Sequence, residues 1–546
     1  MDDVGANFKA ALEMFRAGQA DEAAAACREL IARQPACAAA HHLLAAIELR
    51  RGDPTAALPS AERAVEIDPN HWTHHNTLGC VLNELAEWQA AVDSYNRGLC
   101  AAPRAAELHN NLARAQCDLG AVEEAEASYR EALRIDPAYA EAMYNLANLC
   151  RDGGRFDEAI ELYDAALRQQ GDMLLARRNR GLALLEMGNF ADGWAEYECR
   201  WSERKWTRPG DSLDVPPWQG APLGGRTVLI HAEQGLGDEI MFASCYPQMI
   251  ARAGCCVLTC DPRLVELYGR SFPSAIVSAV RHGEERAGVQ RNGGRPPGVT
   301  LDFQAAAGDL PRYLRASAES FPRQKRYLWA DCDQRASWRR RLDSLGGGLN
   351  VGISWRAGQT RQERRARSIP LDLWAPLLDT PGVNFISLQY GDCQEQLTGI
   401  VADTGVTIHT FSDLDPTNDL DQLAAVISSL DLVISVGNTT VHLAGSLGTP
   451  VWAMLPPAGT WRWTQGRDEG LWYESVRLMR ATVPGDWSAL LERVRDELVC
   501  ETERKRDGET EGQRDGGTKR RTEGAVTDSA QTPRLPALPM VGGAVA

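Results

Sequence analysis

The stretch AELHNNLARAQCDLGAVEEAEASYREALRIDPAY, residues 106–139, is one copy of a 34-residue pattern in the first part of the chain. Rows of like residues recur at this spacing on both sides of it. They are a proline row (Pro35, Pro69, Pro103, Pro137), an alanine row (Ala23, Ala57, Ala91, Ala125, Ala159), a leucine row (Leu44, Leu78, Leu112, Leu146) and a tyrosine row (Tyr95, Tyr129, Tyr163). Glycine stands between the two halves of four copies, at Gly18, Gly52, Gly120 and Gly154. Such a period is typical of a solenoid built from stacked units.

Each copy is predicted to fold as two helices joined by a turn at the glycine. Small alanines permit close approach of the helices, and the tyrosine fills the gap beside them. Proline ends the second helix because it lacks an N–H and clashes inside a helix. The pattern resembles the tetratricopeptide repeat (TPR) over residues 4–207, with five clear copies and a degenerate sixth. Such an α-solenoid is a superhelix whose concave face commonly holds a peptide, so the resemblance implies a protein partner or acceptor.

The chain changes character at about residue 216, where apolar strands begin to alternate with helical segments. The runs TVLIH, CCVLTC and AIVSAV predict strands within residues 216–345, and NVGISW, NFISLQ, DLVISV and PVWAML predict strands within residues 346–500. This alternation is typical of parallel sheets covered on both faces, so we predict two doubly wound, Rossmann-like α/β domains in tandem. Ligands usually bind such domains at the carboxyl ends of the strands, here in the cleft between them. The polar run 281–298 predicts an exposed loop, and residues 501–546 predict a disordered tail.

Composition argues against several classes of function. The formal charge of −16 does not suit bulk nucleic-acid binding, which needs a basic field. No run of about 18 apolar residues occurs, so no membrane span is expected, and the acidic N-terminus does not have the pattern of a secretory signal. The 14 cysteines are scattered without zinc spacing, which favours reduced core cysteines in a cytoplasmic protein and no metal site.

A short polar segment lies between two apolar runs in SVGNTTVHLAGSLGTPVWAML, residues 435–455. Its candidate binding residues are Gly437, Asn438, Thr439, Thr440 and His442. The glycine permits a tight turn after the strand, and Asn438 or Thr439 caps the helix that follows. The free N–H groups and the dipole of such a helix end favour an anion, and His442 is placed to donate to a phosphate oxygen or to pack on a ring. An ordinary strand–turn–helix junction remains the alternative.

The longer stretch DLVISVGNTTVHLAGSLGTPVWAMLP resembles the nucleotide-sugar motif of glycosyltransferase family nine, the heptosyltransferase-like enzymes. More closely, the chain is similar to bacterial proteins that join TPRs to such a domain, because HAEQGLGDEIMFASCYP, VGISWRAG, RRARSIPL, ISLQYGD and WRWTQGRDEGLWY occur in the same order. The resemblance implies a GT-B fold with its acceptor side in residues 216–345 and its nucleotide-sugar side in residues 346–500. It also implies an inverting transfer without an essential metal, and no cofactor apart from the nucleotide-sugar donor as co-substrate.

In that family a Gly-Asp pair after the first strand supplies a carboxylate to the cleft. Here the pair is Gly237-Asp238, within QGLGDE and two residues after Gly235. An acceptor hydroxyl must lose its proton as it attacks the anomeric carbon, and Asp238 is the predicted general base. The alternative is that Asp238 only caps its helix.

A leaving nucleoside diphosphate needs fixed donors where negative charge grows on its β-phosphate. The family carries a basic residue after the strand of G-x-S-W, and RAGQTRQERRARSIPL offers Arg367 first and Arg356 second, unless the whole loop is solvated basic surface. Gln389 ends another strand and is predicted to face the nucleoside. The segment WRW, residues 461–463, closes over the ligand or belongs to the core. Gly437-Asn438 stands where many relatives carry Asp-Thr, which removes one carboxylate near the phosphates.

Together these features predict a cytoplasmic, inverting, metal-independent glycosyltransferase whose TPR array holds a protein acceptor. One alternative is a glycan- or lipopolysaccharide-directed transferase whose repeats only dock it to a complex. Another is a scaffold with a degenerate, non-catalytic GT-B domain. Eukaryotic protein O-GlcNAc transferases have a similar combination of parts, but their catalytic histidine segment is not found here, so a UDP-GlcNAc donor does not follow.

Overall fold

The computed structural model describes residues 2–202, 213–280, 298–358 and 361–518. The predicted loop 281–298 therefore falls almost wholly outside the described residues, as does the end of the predicted tail from 519 onward. Within the described ranges, no helix combines the length and the apolar character needed to cross a membrane.

Residues 2–202 form a run of helices in which each helix packs on the next. The helices are α1 (Asp2–Arg16), α2 (Ala20–Arg33), α3 (Ala38–Arg50), α4 (Pro54–Ile67), α5 (Trp72–Glu84), α6 (Trp88–Ala101), α7 (Ala106–Leu119), α8 (Val122–Ile135), α9 (Ala140–Asp152), α10 (Phe156–Gln169), α11 (Leu174–Met187) and α12 (Phe190–Tyr197). They form six helical pairs, one for each predicted copy, and the degenerate sixth copy is α11 with α12. A 3-10 turn, Glu198–Ser202, ends the array.

The repeated rows occupy the positions that hold the pairs together. Every member of the alanine row is fully buried. Tyr95 lies so close to α5 that a Cβ on Gly79 would be 2.5 Å from its ring, which shows why small residues and an aromatic ring alternate here. The row glycines have left-handed backbones with φ near +80°, and Ala86 occupies the corresponding turn of the third copy with φ of +63°. The helical repeat prediction is confirmed.

The second half alternates strands and helices. The strands are β1 (Thr227–His231), β2 (Cys255–Cys260), β3 (Ile276–Ala279), β4 (Phe303–Ala306), β5 (Leu349–Ser354), β6 (Val383–Ser387), β7 (Ile408–His409), β8 (Leu432–Val436), β9 (Val451–Leu455) and β10 (Val476–Arg480). The helices are α13 (Leu236–Phe242), α14 (Tyr246–Arg252), α15 (Val265–Ser271), α16 (Leu310–Leu314), α17 (Cys332–Asp343), α18 (Arg361–Arg367), α19 (Ala375–Leu378), α20 (Gln394–Thr404), α21 (Leu420–Ile427), α22 (Thr439–Leu447) and α23 (Ser488–Thr518).

Two parallel sheets result, as predicted. The first has the order β3-β2-β1-β4, and the second has the order β7-β6-β5-β8-β9-β10. Counted within its own sheet, the second order is 3-2-1-4-5-6, which is that of a doubly wound fold. The winding reverses between β1 and β4 in the first sheet and between β5 and β8 in the second. Such reversal points are where ligands bind, outside the carboxyl ends of the strands.

One continuous apolar core joins the last repeat to both sheets. It contains Trp194 of α12, Ile230 of β1 and Val433 of β8. The opposite face of the second sheet, which includes Ile434, packs in a separate core with α19 and α23. The two α/β units and the end of the solenoid are therefore packed together through shared hydrophobic contacts.

The structure shifts two predicted boundaries. Helix α17 precedes the predicted division at residue 345 but packs on α21 of the second unit. Its Arg339 also donates to Asp431, just before β8, at 3.2 Å. Helix α23 continues past residue 501, where the disordered tail was predicted to begin. Lys505 explains the extension, because its ammonium donates to the Gly348 carbonyl at 2.8 Å and pairs with Asp431 at 2.9 Å. A charged partner, which apolar periodicity does not reveal, fixes this part of the helix.

Candidate functional site

The structure places the Gly-Asp pair of the first sheet against the helix end of the second sheet. Gly237 and Asp238 lie in the first turn of α13, directly after β1. A Cβ on Gly237 would be 3.1 Å from His442 Cδ2 and 3.4 Å from Thr439 Oγ1, so a larger residue would push α13 and α22 apart. Gly235 precedes α13 and accepts from the Glu239 amide at 3.0 Å. The loops after β1 and β8 thus meet, although about two hundred residues separate them.

Asp238 forms a two-pronged ion pair with Arg462. The Nε and Nη2 atoms of Arg462 donate to its two carboxylate oxygens at 2.6 and 2.8 Å. The side chains of Asp238 and Arg462 are 12% and 21% exposed. Helix α13 begins without a side-chain cap, so Asp238 does not have the alternative role of a helix cap. The carboxylate instead lies in a half-enclosed position, held by a guanidinium from the segment between β9 and β10.

His442 is an uncharged part of the packing around this pair. Its ring stacks on Trp463 with 5.4 Å between the ring centroids and an angle of 11°, and Nδ1 shares a hydrogen bond of 2.8 Å with the Tyr473 hydroxyl. Burial, reinforced by the positive charge of Arg462, lowers the pKa of His442 to about 3. The imidazole therefore brings no positive charge to an anion near neutral pH. Of its two predicted roles, ring packing is the one that the geometry displays.

Asn438 caps α22 and joins the ends of two strands. Its Oδ1 accepts from the Thr440 amide at 2.9 Å. Its Nδ2 donates to Ser354 Oγ at 2.8 Å and to the Arg356 carbonyl at 2.9 Å, at the end of β5. The amide side chain is occupied by these contacts. The amides of Thr440 and Val441 are bonded to Asn438, so what this turn can offer an anion is the half-buried Thr439 and the positive end of the helix dipole.

Gln389, which follows β6, contacts the residues at the end of β5, and its contact with a nucleoside stays a prediction. It is buried, and its amide oxygen accepts from the backbone amides of Trp355 and Arg356, both at 2.9 Å. Arg356 in turn donates to the Tyr390 carbonyl at 2.9 Å. A polar residue at a strand end was a sound reason to expect a site there, but these polar groups satisfy one another and shape its floor.

The arginine-rich loop contains the helix α18, and two of its arginines contact different parts of the protein. Arg365 donates to the carbonyls of Asp118 at 2.9 Å and Leu119 at 3.3 Å, so it docks on the solenoid. Arg367 donates to the Gly459 carbonyl at 3.4 Å. Burial, together with the nearby charge of Arg462, lowers the pKa of Arg367. Within the described part of the chain, no carboxylate forms an ion pair with Arg367, which leaves its charge poorly compensated beside the site.

A segment that we call the strap, residues 456–466, runs from β9 across the site to the solenoid. Gln465 donates to Glu186 twice, from its backbone N–H at 2.8 Å and from its side chain at 2.9 Å. Glycine turns of the repeats also touch the strap. A Cβ on Gly154 would be 3.7 Å from the Ala458 Cβ, and one on Gly188 would be 3.3 Å from Thr464 Cγ2.

Two groups of charged residues near the site were missed by sequence reasoning. Arg200, which follows α12, donates to Glu233 at 2.9 Å and to Asp309 at 2.5 Å, and all three are buried at the reversal point of the first sheet. The sequence did hold a signal for these carboxylates, since both follow buried strands within three residues.

The second group is an acidic row near the end of the first helix of each repeat, also spaced by 34 residues: Glu84, Asp118, Asp152 and Glu186. Its last three members lie at the contact with α18 and the strap.

The helical array defines the class of the first third of the chain. Residues 8–71, 76–140, 124–173 and 144–198 match the family model of the tetratricopeptide repeat, so this region is a TPR solenoid. The chain is also 36% identical over 334 residues to Protein FlbA of Caulobacter vibrioides, a match that covers 60% of this chain and 55% of that protein. The chain thus spans about half the length of this curated relative.

Solved structures of repeat proteins are similar to part of the chain. The TPR protein TTC0263 of Thermus thermophilus is 24% identical, and the match covers 33% of this chain and 99% of that chain with a TM-score of 0.31. PilF of Pseudomonas aeruginosa is 19% identical, and the match covers 36% of this chain and 90% of that chain with a TM-score of 0.33.

Proposed function

We propose that the chain is an inverting, metal-independent glycosyltransferase of GT-B arrangement, to which the TPR array recruits a protein acceptor. The observation that carries this proposal is the contact between the Gly237-Asp238 turn and the first turn of α22, where the Cβ position of Gly237 lies 3.4 Å from Thr439 Oγ1. The loop after one sheet contributes a carboxylate, and the loop after the other contributes the half-buried Thr439 and the positive end of the α22 dipole. A base opposite an anion site is the pair of features that transfer from a nucleoside diphosphate sugar requires.

In the proposed reaction Asp238 takes the proton of the acceptor hydroxyl. The acceptor oxygen forms a bond to the anomeric carbon from the face opposite the leaving group, and the bond from that carbon to the phosphate oxygen breaks. The nucleoside diphosphate leaves with the electron pair, and the sugar is inverted. General-base assistance of this kind typically contributes about 10²–10⁴ in rate.

Negative charge on the leaving diphosphate would be met by Arg367 and the first turn of α22. Arg367 fits this role because it is half-buried and, among the residues that the structure describes, no carboxylate forms an ion pair with it. An entering diphosphate would form charge-assisted hydrogen bonds there, which are about twice as strong as neutral ones. His442 is assigned to packing, since its lowered pKa keeps it neutral.

The test begins with binding of ADP, UDP, GDP and CDP to the full chain, measured by calorimetry, followed by turnover of the matching nucleotide sugars. We expect Asp238→Asn to reduce turnover at least about 100-fold while nucleotide affinity changes only a few-fold. Asp379→Asn, at an exposed carboxylate of the second unit, is the control. Arg367→Ala should weaken nucleotide binding about tenfold or more, in contrast to Arg340→Ala on the exposed side of α17. Unchanged turnover in Asp238→Asn would refute the assignment of the base.

The second candidate is a scaffold whose α/β part binds no donor. The pairing of both Asp238 oxygens with Arg462 and the complete use of the Asn438 amide favour it, because both groups already have protein partners. If none of the four nucleotides binds at millimolar concentration, this candidate replaces the transferase.

A further inference from the structure

The strap contacts both halves of the candidate site. Arg462 covers the two carboxylate oxygens of Asp238. The neighbouring Trp463 is buried, stacks on His442, and has its Nε1 3.7 Å from the Cβ position of Gly437. An acceptor hydroxyl cannot reach Asp238 along the edge that Arg462 occupies unless the guanidinium withdraws. In the conformation described here, Arg462 therefore closes this edge of the carboxylate.

The strap is held from the side of its own sheet by Arg480. This arginine, at the end of β10, donates to the Trp463 carbonyl at 2.7 Å and to Thr460 Oγ1 at 3.4 Å. Burial lowers the pKa of Arg480, and Glu186 of the solenoid is the charge that opposes this effect most. The anchor on the sheet is thus electrostatically connected to the solenoid.

The fifth and sixth repeats hold the other side. Gln465 is bound to Glu186 by two hydrogen bonds, and its side chain also donates to the Pro457 carbonyl at 2.8 Å, which closes the strap on itself. Ala458 packs in a small apolar cluster with Phe156 of α10 and Ala183 of α11. Contacts from two successive repeats therefore fix the strap at both ends of its crossing.

We propose that the strap is an autoinhibitory element that the fifth and sixth repeats keep shut. Displacement of these repeats frees the strap, withdraws Arg462 from Asp238 and opens the site. A solenoid changes curvature through small rotations between neighbouring repeats, so a protein bound on its concave face shifts the balance between the closed and open forms. The consequence for turnover rests on the proposed function, whereas the coupling between solenoid, strap and α13 does not.

A reversible lock tests the coupling in the full chain. The Cβ positions of residues 154 and 458 are 3.7 Å apart, within the range of disulfides. In the double variant Gly154→Cys/Ala458→Cys, oxidation should slow hydrogen–deuterium exchange of the amides in 458–466 and in α13 by at least about tenfold, and reduction should restore it. Each single cysteine variant, given the same oxidant, controls for oxidation of the native thiols and for the left-handed backbone at residue 154.

A release variant tests the opposite direction without a new cross-link. Gln465→Ala removes two side-chain hydrogen bonds and should speed exchange in the strap and α13 by about tenfold. Gln394→Ala, at an exposed glutamine in α20, is the matched control and should leave both segments unchanged.

The outcomes separate this proposal from the proposed function. If α13 does not respond when exchange in the strap changes, the coupling is refuted, whatever the chain catalyses. If the oxidised double variant turns over a nucleotide sugar as fast as the reduced form, the strap does not gate the site, while the transferase assignment stands. If exchange follows the lock but no nucleotide binds, the coupling is supported and the transferase assignment fails.

Discussion

Replacing Ala86 by glycine is expected to stabilise the third repeat by about 0.5–1 kcal/mol. Ala86 forms the turn between α5 and α6 with a left-handed backbone, φ of +63°. The corresponding residues of the neighbouring copies, Gly52 and Gly120, have φ of +80° and +87°. The third copy therefore places a Cβ where the other turns have none.

The expected stabilisation is the backbone strain relieved at Ala86 minus the extra conformational entropy that glycine loses on folding. A left-handed conformation costs an L-residue with a Cβ roughly 1–2 kcal/mol. Glycine loses more freedom on folding, which removes about 0.5–1 kcal/mol of that gain. The methyl group of Ala86 is only half-buried, so its loss subtracts little more.

Native-state hydrogen exchange of α5 and α6 in the full chain is the suitable assay, because a multi-unit protein does not unfold in one step. The reverse change, Gly52→Ala, is the control. A Cβ there would meet open space, so its whole cost of about 1 kcal/mol lies in the backbone, and exchange in α3 and α4 should quicken. The reasoning would be refuted if Ala86→Gly quickened exchange in α5, or if both substitutions shifted exchange in the same direction.

Three further predictions concern the α/β part. His231 and His442 have pKa values lowered to about 4 and about 3, so between pH 6.5 and 4 the unfolded chain binds protons that the folded chain does not. As the pH is lowered through this range, the free energy of unfolding should therefore fall by up to about 1.4 kcal/mol per pH unit for each histidine. Native-state hydrogen exchange of β1 and α22 at pH 7 and pH 5, corrected for the intrinsic exchange rates, measures this, and a His231→Gln variant with an equally steep dependence in β1 would contradict it. Gly445→Ala would bring a Cβ to 2.6 Å from the ring of Tyr473 and should cost about 1–3 kcal/mol in thermal unfolding, so an unchanged midpoint would show that the ring moves freely. Arg200→Met leaves two buried carboxylates without their cation and should cost about 3–5 kcal/mol. This loss should shrink at acidic pH as Glu233 protonates, because burial raises the pKa of Glu233, and a loss independent of pH would exclude the charge explanation.

The repeat half was predictable because each copy buries the same face of the same two helices. Ala57 and Ala91 can be aligned without any structure, and their burial follows from that alignment. The same alignment would have found Ala86 in the glycine row and Glu186 in the acidic row. The use of that acidic row to dock the α/β part could not be foreseen, since nothing in the repeat itself specifies what lies against it.

The candidate site was predictable only to the level of its strand ends. Motif position was enough to expect Asp238 near α22. Its partner Arg462 is 224 positions away, and such a pairing depends on how the two sheets pack rather than on a local pattern. The cap formed by Asn438 was predicted, but its contacts with the end of β5, and those of Gln389, were not. A polar residue at a strand end has the same appearance in a sequence whether it binds a ligand or satisfies neighbouring backbone groups.

The contact between the glycine turns and the α/β part limits how the protein can change in length. Turns at Gly120, Gly154 and Gly188 meet Arg365, Ala458 and Thr464 respectively, whereas a Cβ at Gly18 or Gly52 would meet nothing within 4 Å. Three consecutive repeats each contact a different residue of the α/β part. Deleting or inserting a whole repeat among them would therefore move the later glycine turns away from their contacts. We therefore expect lineages of this protein to gain and lose copies only at the amino-terminal end, and we expect engineered arrays to tolerate extension there.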